Sequence, residues 1–175
     1  MEREDVAAER VTIRRYREGD AEPLCVLFFR SVREVGPAKY DDAQVRAWAH
    51  DVPDATAWGE RMRENETFVA LANGDVHVGW IELEADGHVE MLYCAPEAAG
   101  RGVAASLYSA AEAVAHERGL SRLTSAASRF AESFFCKHGW AVDERETVTR
   151  FGVGIQRARM SKSLQTDRPR GSPSI

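Results

Sequence analysis

The spacing of hydrophobic residues changes along the chain, and each change predicts a different element of secondary structure. Residues 11–16 alternate between apolar and polar side chains, which is typical of a half-buried strand. Between residues 24 and 35 the apolar side chains recur every three or four positions, so they share one face of a helix that Gly36 ends. Aspartates provide the expected N-terminal caps of this helix and of two shorter ones: Asp20, then Asp41 or Asp42, then Asp54.

The middle of the chain returns to the two-residue period of strands. Three strands are predicted there, at residues 67–72, 76–83 and 89–94. The turns between them are expected at Asn73-Gly74 and at Asp86-Gly87. The third strand ends before a proline, which has no backbone N–H to donate to a neighbouring strand. Three consecutive antiparallel strands are therefore expected.

The C-terminal half predicts a helix, a strand, a second helix and two final strands. The first helix follows Gly102 and ends near Gly119, and the second covers residues 130–138. The final strands are expected at residues 141–150 and 153–164. Strands and helices in this order predict a mixed α/β sheet with helices on both faces.

Composition and charge narrow the functional classes. The chain has 175 residues, 44% of them hydrophobic and 29% charged, which suits one soluble globular domain. No apolar run approaches the roughly 20 residues of a membrane-spanning helix, and the charged first residues lack the apolar core of a signal peptide. A cytoplasmic location without membrane contact is the expectation. The net charge of −5 argues against a nucleic acid partner.

The cysteines and histidines give no sign of a metal or redox site. Cys25, Cys94 and Cys136 form no CxxC pair, and no group of His and Cys has the spacing of zinc ligands. Small buried thiols in a reducing compartment are the expectation. No metal is expected.

A glycine turn, Gly100-Arg101-Gly102, lies between a predicted strand and a predicted helix. A helix N-terminus exposes about four unpaired backbone amides and carries about half a positive charge, and glycines let an anion approach them. The turn therefore predicts a phosphate or pyrophosphate site, with a glycine-rich helix entry that binds nothing as the alternative. A dinucleotide fingerprint would need glycine at Ala105, and a Walker loop would need Lys-Ser/Thr at Val103-Ala104.

Three segments of the chain resemble the GNAT superfamily of N-acetyltransferases. The family loop is Gln/Arg-x-x-Gly-x-Gly/Ala; its last three positions are Gly102-Val103-Ala104, while Ala99 replaces the usual Gln or Arg. The family's Ala-x-x-Phe-Tyr-x-x-x-Gly-Phe segment is matched over residues 131–140, with Phe-Phe in place of Phe-Tyr. Its closing strand is matched by Arg159-Met160-x-Lys162-x-Leu164. The resemblance is nearest to bacterial members of unassigned substrate that carry Phe-Phe.

The resemblance implies a GNAT-like mixed, mostly antiparallel central sheet of about seven strands with helices on both faces. It implies one acetyltransferase domain at residues 11–164, between a charged extension at residues 1–10 and a disordered tail at residues 165–175. Acetyl-CoA would be the co-substrate, its pantetheine arm pairing with the backbone of Leu92, Tyr93 and Cys94. The other implied acetyl-CoA contacts are Ala99, Gly100, Arg101, Gly102, Val103, Ala104, Ala105, Ser128 and Phe135.

Acetyl transfer to an amine needs a base for the amine and an acid for the departing thiolate. Glu82 and Glu90 are the candidate bases. With a three-residue turn between their strands the two carboxylates face each other and one pKa rises, whereas with a two-residue turn Glu82 faces Met91. The family's usual acid is a tyrosine at the position of Phe135, which has no proton to donate. The remaining candidates for that proton are Tyr93, which we place first, Tyr108, Ser128 and water.

Three aromatic residues lie in the helices that cover the acceptor groove in the resembling family: Tyr40, Trp48 and Trp58. Beside carboxylates they suit a cationic amine, and plain core packing is the alternative. The sequence thus predicts an acetyl-CoA-dependent N-acetyltransferase, a monomer or homodimer, in which a primary amine attacks the thioester directly. A non-catalytic acyl-CoA-binding or regulatory protein is the second hypothesis, and a scaffold without a ligand is the third.

Overall fold

The computed structural model describes residues 10–164, so most of the expected N-terminal extension and all of the expected tail lie outside the described residues. The strands are β1 Val11–Arg15, β2 Glu66–Ala72, β3 Val76–Leu83, β4 His88–Cys94, β5 Arg122–Ala127, β6 Ala141–Arg150 and β7 Val153–Ser163. The helices are α1 Ala21–Val35, α2 Asp42–Trp48, α3 Ala55–Glu64, α4 Val103–Glu117 and α5 Arg129–Lys137. The predicted order of elements is confirmed.

The strands of residues 10–164 form one seven-stranded sheet in the order β1-β2-β3-β4-β5-β7-β6. Each neighbouring pair is antiparallel except β4 and β5, which run parallel. The chain passes from β4 to β5 through α4, because parallel neighbours need a crossover connection. The predicted mixed, mostly antiparallel sheet is confirmed.

Helices cover both faces of the sheet. Consecutive residues of a strand point to opposite faces. In β3, a Cβ added at Gly79 would lie 3.1 Å from the Leu107 side chain of α4, while the ring of Trp80 lies 6.4 Å from that of Trp58 in α3. α4 therefore packs on one face and α3 on the other. Between residues 10 and 164, no helix combines the length and apolar character needed to cross a membrane.

Both predicted turns of the central hairpins form. Asn73 and Gly74 have φ angles of 51° and 97°, the left-handed backbone that such a turn requires. In the next hairpin the backbone N–H of Glu84 donates to the carbonyl of His88 at 2.8 Å, so residues 85–87 form the turn. This is the three-residue alternative considered from the sequence.

The β3–β4 hairpin nevertheless contains one extra residue in β4. The register pairs Leu83 with Val89 but Glu82 with Met91, which leaves Glu90 without a partner in β3. This is a β-bulge, in which two residues of one strand oppose one residue of the other. The expected facing pair of Glu82 and Glu90 is therefore wrong, because the bulge shifts the register just beyond the turn.

Two of the three expected aspartate caps form. Asp41 and Asp54 each accept a hydrogen bond from the backbone N–H three residues later, at 2.8 Å. Asp20 does not cap α1 with its side chain. Its buried carboxylate instead accepts hydrogen bonds from Arg14 at 2.7 Å and lies 2.8 Å from the His77 ring nitrogen. Asp20 therefore joins α1 to the sheet rather than stabilising the helix end.

Glu82 is fully buried and all of its neighbours at hydrogen-bonding distance are donors. The Arg61 guanidinium donates to both carboxylate oxygens at 2.9 Å. Trp80 Nε1 donates at 3.0 Å and Asn65 Nδ2 at 3.4 Å. A buried carboxylate needs such partners because it has lost its hydration. Glu82 thus links α3 to β3. Because both of its oxygens already accept hydrogen bonds, Glu90 is the remaining candidate base.

Replacing Arg61 with alanine should leave the Glu82 carboxylate buried without its cation. We expect the free energy of unfolding to fall by about 3 kcal/mol, the lower end of the range for breaking a buried pair, because the Arg61 side chain is 29% exposed. Urea denaturation measures this change. Arg145→Ala, which breaks an exposed ion pair with Glu132, should leave the free energy of unfolding close to wild type. Equal losses in the two variants would contradict the structural role of the buried pair.

Candidate active site

Strands β4 and β5 pair over a short stretch and then separate. The parallel register joins His88 to Thr124 and Val89 to Ser125, and the pairing ends there. The bulge at Glu90 lies where the strands part. Beyond it, the edge of β4 that faces β5 borders an opening, so its backbone groups are available to a ligand.

A cavity of about 200 Å³, the apolar cavity, occupies this opening. It is bounded by α1, the end of β4, the first turn of α4 and one face of α5. Its lining includes Ser31, Val32, Leu92, Tyr93, Cys94, Ala104, Phe130, Ala131 and Phe134. The Ser31 hydroxyl donates to the Cys94 carbonyl at 2.9 Å, which ties α1 to β4. The apolar lining suits a long ligand segment that carries few polar groups.

The glycine turn leads into the helix that bounds this cavity. Gly100 and Gly102 have φ angles of 73° and 77°, a backbone conformation that glycine adopts without strain. A Cβ added at either glycine would meet nothing within 4 Å, so the turn borders open space. Among the described residues no side chain caps α4. The first amides of α4 are therefore available to an anion.

A second cavity of about 120 Å³, the polar cavity, adjoins the first. The two cavities share three lining residues: Trp48, Tyr93 and Ser128. The other residues that line the polar cavity are Phe28, Trp58, Glu90, Met91, Ala126, Val148, Arg150, Ile155 and Arg157. The two cavities are therefore neighbours, with Tyr93 in the wall of both.

Tyr93 is held firmly where the two cavities meet. Its ring stacks on that of Trp80 at 5.4 Å and contacts the edge of Phe28 at 5.0 Å. Burial raises the pKa of Tyr93 well above its ordinary value, against smaller lowering effects of the Arg150 charge and a hydrogen bond with Trp48. Tyr93 is therefore a protonated acid at neutral pH.

Glu90 pairs with a histidine rather than with a second carboxylate. His88 Nε2 lies 3.5 Å from the Glu90 carboxylate, and His88 Nδ1 lies 2.9 Å from the Thr124 hydroxyl. The hydrogen bond between the two side chains raises the pKa of His88 and lowers the pKa of Glu90. The raised carboxylate pKa expected of two facing glutamates does not arise, because the neighbour of Glu90 is a cation when protonated.

Comparison with known proteins places this arrangement in a family. The family model described as an acetyltransferase (GNAT) domain matches residues 37–164. Uncharacterized N-acetyltransferase YafP of Escherichia coli (strain K12) is 32% identical over 138 residues, which make up 79% of this chain and 86% of that protein. The chain belongs to the GNAT acetyltransferase family.

Solved structures of GNAT proteins share the fold. A GCN5-related N-acetyltransferase from Rhodopseudomonas palustris is 33% identical, with 87% of this chain and 95% of that chain covered and a TM-score of 0.82. YncA from Salmonella typhimurium, solved with its cofactor acetyl-CoA, is 21% identical, with 89% and 94% covered and a TM-score of 0.66. The R. palustris protein, together with the E. coli relative, supports acetyltransferase activity. YncA shows the fold alone.

One residue of the GNAT helix motif lies elsewhere than expected. Phe135 is 1% exposed and its ring lies 4.4 Å from that of Trp140, so it packs in the core and does not line the apolar cavity. Phe134 lines the cavity instead, because one step along a helix turns the side chain by about 100°. Tyr108, another candidate acid, is buried with its hydroxyl bound by Trp140 at 3.0 Å and Lys162 at 3.2 Å.

The other acetyl-CoA contacts implied by the GNAT resemblance fall into two groups. Residues on β4, with Ala104 and Ser128, line the apolar cavity. The loop residues Ala99 to Gly102 form an exposed turn, and Ala105 is partly exposed in the first turn of α4. Val103 is 2% exposed, so it offers a ligand only its backbone.

The three aromatic residues expected in the acceptor pocket are divided between the cavities. Tyr40 lines the apolar cavity, and its hydroxyl is hydrogen-bonded to the backbones of α5 and β7 at 2.9 and 3.1 Å. Trp48 lines both cavities, and Trp58 lines the polar one. Arg61 lies 4.5 Å from the centre of the Trp58 ring, so that ring already contacts a cation.

Sequence reasoning missed four residues of this GNAT site: His88, Phe134, Arg150 and Arg157. The spacing of His88 and Glu90, two residues apart in a strand, could have revealed their shared face. Arg150 and Arg157 reach the polar cavity from the last hairpin, and no local pattern marks that approach. Among the described residues, no group of three or more His, Cys, Asp or Glu side chains could hold a metal ion.

Proposed function

We propose that this GNAT acetyltransferase moves the acetyl group of acetyl-CoA to a primary amine bound in the polar cavity. The observation that carries the proposal is the meeting of the two cavities at Trp48, Tyr93 and Ser128. The apolar cavity extends from these residues to Ala104 in the first turn of α4, and its apolar lining suits a pantetheine arm. The acetyl-CoA held by YncA supports the same co-substrate for this chain.

Backbone groups carry most of the acetyl-CoA binding. The pyrophosphate lies against the open amides that follow Gly102, where the helix dipole favours an anion. The pantetheine arm pairs with the edge of β4 at Leu92 to Cys94, beyond the last β5 pair. Ala99 offers no polar side chain, so affinity at this loop depends on the backbone.

Acetyl-CoA supplies the thioester, and two residues of the chain direct the reaction towards direct attack. Burial raises the pKa of the Cys94 thiol to about 12, so Cys94 keeps its proton and is no nucleophile. The amine nitrogen therefore forms the new bond to the carbonyl carbon itself as the carbon–sulfur bond breaks. Tyr93 protonates the departing thiolate because its phenol is neutral at pH 7, and it then recovers a proton from solvent.

The Glu90–His88 pair receives the proton of the amine. The lowered pKa of Glu90 keeps its carboxylate ionised, so it accepts a hydrogen bond from the amine. The proton then passes to His88, whose raised pKa makes it the stronger base of the pair. Both residues also line a wider opening with Arg122 and Thr124, through which the proton reaches solvent.

Gly102→Val tests the placement of the pyrophosphate. Valine is strained at a φ of 77° and places methyl groups in the space assigned to the anion. Gly119→Val is the matched control, because Gly119 ends the same helix with a φ of 68° and equally open surroundings. Both variants should lose about 1–3 kcal/mol of stability, but only Gly102→Val should lose acetyl-CoA affinity in calorimetric titration. Unchanged acetyl-CoA affinity in Gly102→Val would refute the placement.

Thiol release from acetyl-CoA in the presence of an amine library tests the reaction itself. Tyr93→Phe and Glu90→Gln should each lower kcat by about 10²–10⁴-fold, the usual contribution of a general acid or base. Acetyl-CoA affinity should persist in both variants. Binding of acetyl-CoA without thiol release for any amine would favour the non-catalytic acyl-CoA-binding alternative.

The pH dependence of kcat/KM should report on His88. We expect the rate to rise with pH through the raised pKa of His88, above its ordinary 6.5, because only the neutral imidazole can accept the proton. In the His88→Gln variant Glu90 is the remaining base, and His88 no longer lowers its pKa. The fall in kcat/KM at low pH should therefore move from the pKa of His88 down to about the ordinary carboxylate pKa of 4.5. An acid limb at the same pH in wild type and variant would rule out this relay.

A further inference from the structure

The last hairpin presents a short apolar strip with an arginine at each end. In the register of β6 and β7, Val148 lies opposite Ile155 and Glu146 lies opposite Arg157. Opposed residues of antiparallel strands share a face, as do residues two apart in one strand, so Arg150 belongs to the same face. This face forms one wall of the polar cavity.

Within the described part of the chain, the charges around the polar cavity are paired with one exception. Arg157 is bound to Glu146 at 2.6 Å, and Glu90 lies 3.5 Å from His88. Arg150 makes no ion pair with any carboxylate of residues 10–164. The cavity therefore holds one guanidinium whose charge is not compensated within the described part of the chain.

Arg150 lies where its charge can act on the acceptor rather than on acetyl-CoA. Arg150 and Tyr93 line the same cavity, and the Arg150 charge acts on the Tyr93 phenol. The glycine turn adjoins the apolar cavity, which Arg150 does not line. A ligand group that Arg150 binds is therefore part of the molecule in the polar cavity.

We propose that the acceptor is a small amine that also carries a carboxylate, with the carboxylate bound by Arg150 and the amino group between Glu90 and Tyr93. This inference rests on the acetyl transfer proposed above. A guanidinium offers a planar fork of donors that fits both oxygens of a carboxylate. The cavity volume of about 120 Å³ is below the ~300–1,000 Å³ of sites for drug-sized ligands, which favours a small acceptor.

An amine without an anionic group fits this cavity less well. Its ammonium form would add a second cation near Arg150, and the guanidinium would remain without a counter-charge. The apolar strip of Val148 and Ile155, with Trp58 across the cavity, accommodates a short hydrocarbon portion between the two charged ends. The polar cavity therefore favours an acceptor that carries both charges over a simple cationic amine.

Matched trios of amines test the inference. Each trio contains an α-amino acid, its carboxamide and the amine that lacks the carboxyl group, for glycine, alanine, leucine and phenylalanine. With wild-type protein and saturating acetyl-CoA, kcat/KM for thiol release should be about ten- to hundredfold higher for the amino acid than for the other two members of at least one trio. A carboxamide has more neutral amine at a given pH than its amino acid, so intrinsic amine reactivity cannot produce this preference.

Variants of two arginines on the same hairpin test whether Arg150 causes the preference for the amino acid over its carboxamide. Arg150→Gln should raise KM for the amino acid about ten- to hundredfold and remove the preference over the carboxamide. Arg150→Lys keeps the charge without the planar fork and should restore part of the preference. Arg145→Gln is the control: Arg145 lies on the opposite face of β6, bound to Glu132, so its loss should leave the preference intact.

The outcomes distinguish a failure of this inference from a failure of the proposed function. If acetyl-CoA binds but the amino acids are acetylated no better than their carboxamides in any trio, or not at all, the inference is overturned and the proposed acetyl-CoA site stands. An undiminished preference in Arg150→Gln overturns it equally. If calorimetric titration shows no acetyl-CoA binding to the wild-type protein, the proposed function is overturned, and this inference with it.

Discussion

The early separation of β4 from β5 is the feature on which the site depends. Two parallel pairs, His88 with Thr124 and Val89 with Ser125, hold the strands together at one end. Further pairing would close the apolar cavity and give the β4 edge a strand partner in place of a ligand. The crossover that makes the two strands parallel also begins with α4, whose N-terminus has no side-chain cap among the described residues. The opening and the proposed anion site therefore arise from the same connection.

One extra residue in β4 gives two glutamates of one hairpin different roles. Glu82 is enclosed by donors, with Arg61 bound to both of its oxygens at 2.9 Å, and it stabilises the packing of α3 on the sheet. Glu90, in the bulge, lies at the wall of the polar cavity beside His88. Bulges turn a side chain away from the position that a regular ladder would give it. Here that change separates a structural carboxylate from one that faces the polar cavity.

The net charge of the chain does not describe the charge of its site. The sequence carries a net charge of −5, which is compatible with a cationic acceptor. Among residues 10–164, most of the charges around the polar cavity are paired, and the guanidinium of Arg150 is the exception. Local pairing rather than composition therefore sets which ligand groups the cavity favours, and it supports the proposed acceptor with both an amino group and a carboxylate.

The sequence by itself determined the order of strands and helices, the glycine turn before α4 and the family, because hydrophobic period, turn residues and helix entry are local properties. Only the tertiary structure decided the β3–β4 register, since a single extra residue at Glu90 changes every pair beyond it. It also decided that Phe134 rather than Phe135 lines the apolar cavity, and that Arg150 reaches the polar cavity from the last hairpin. Each of these depends on contacts between segments distant in the chain, which no local pattern contains.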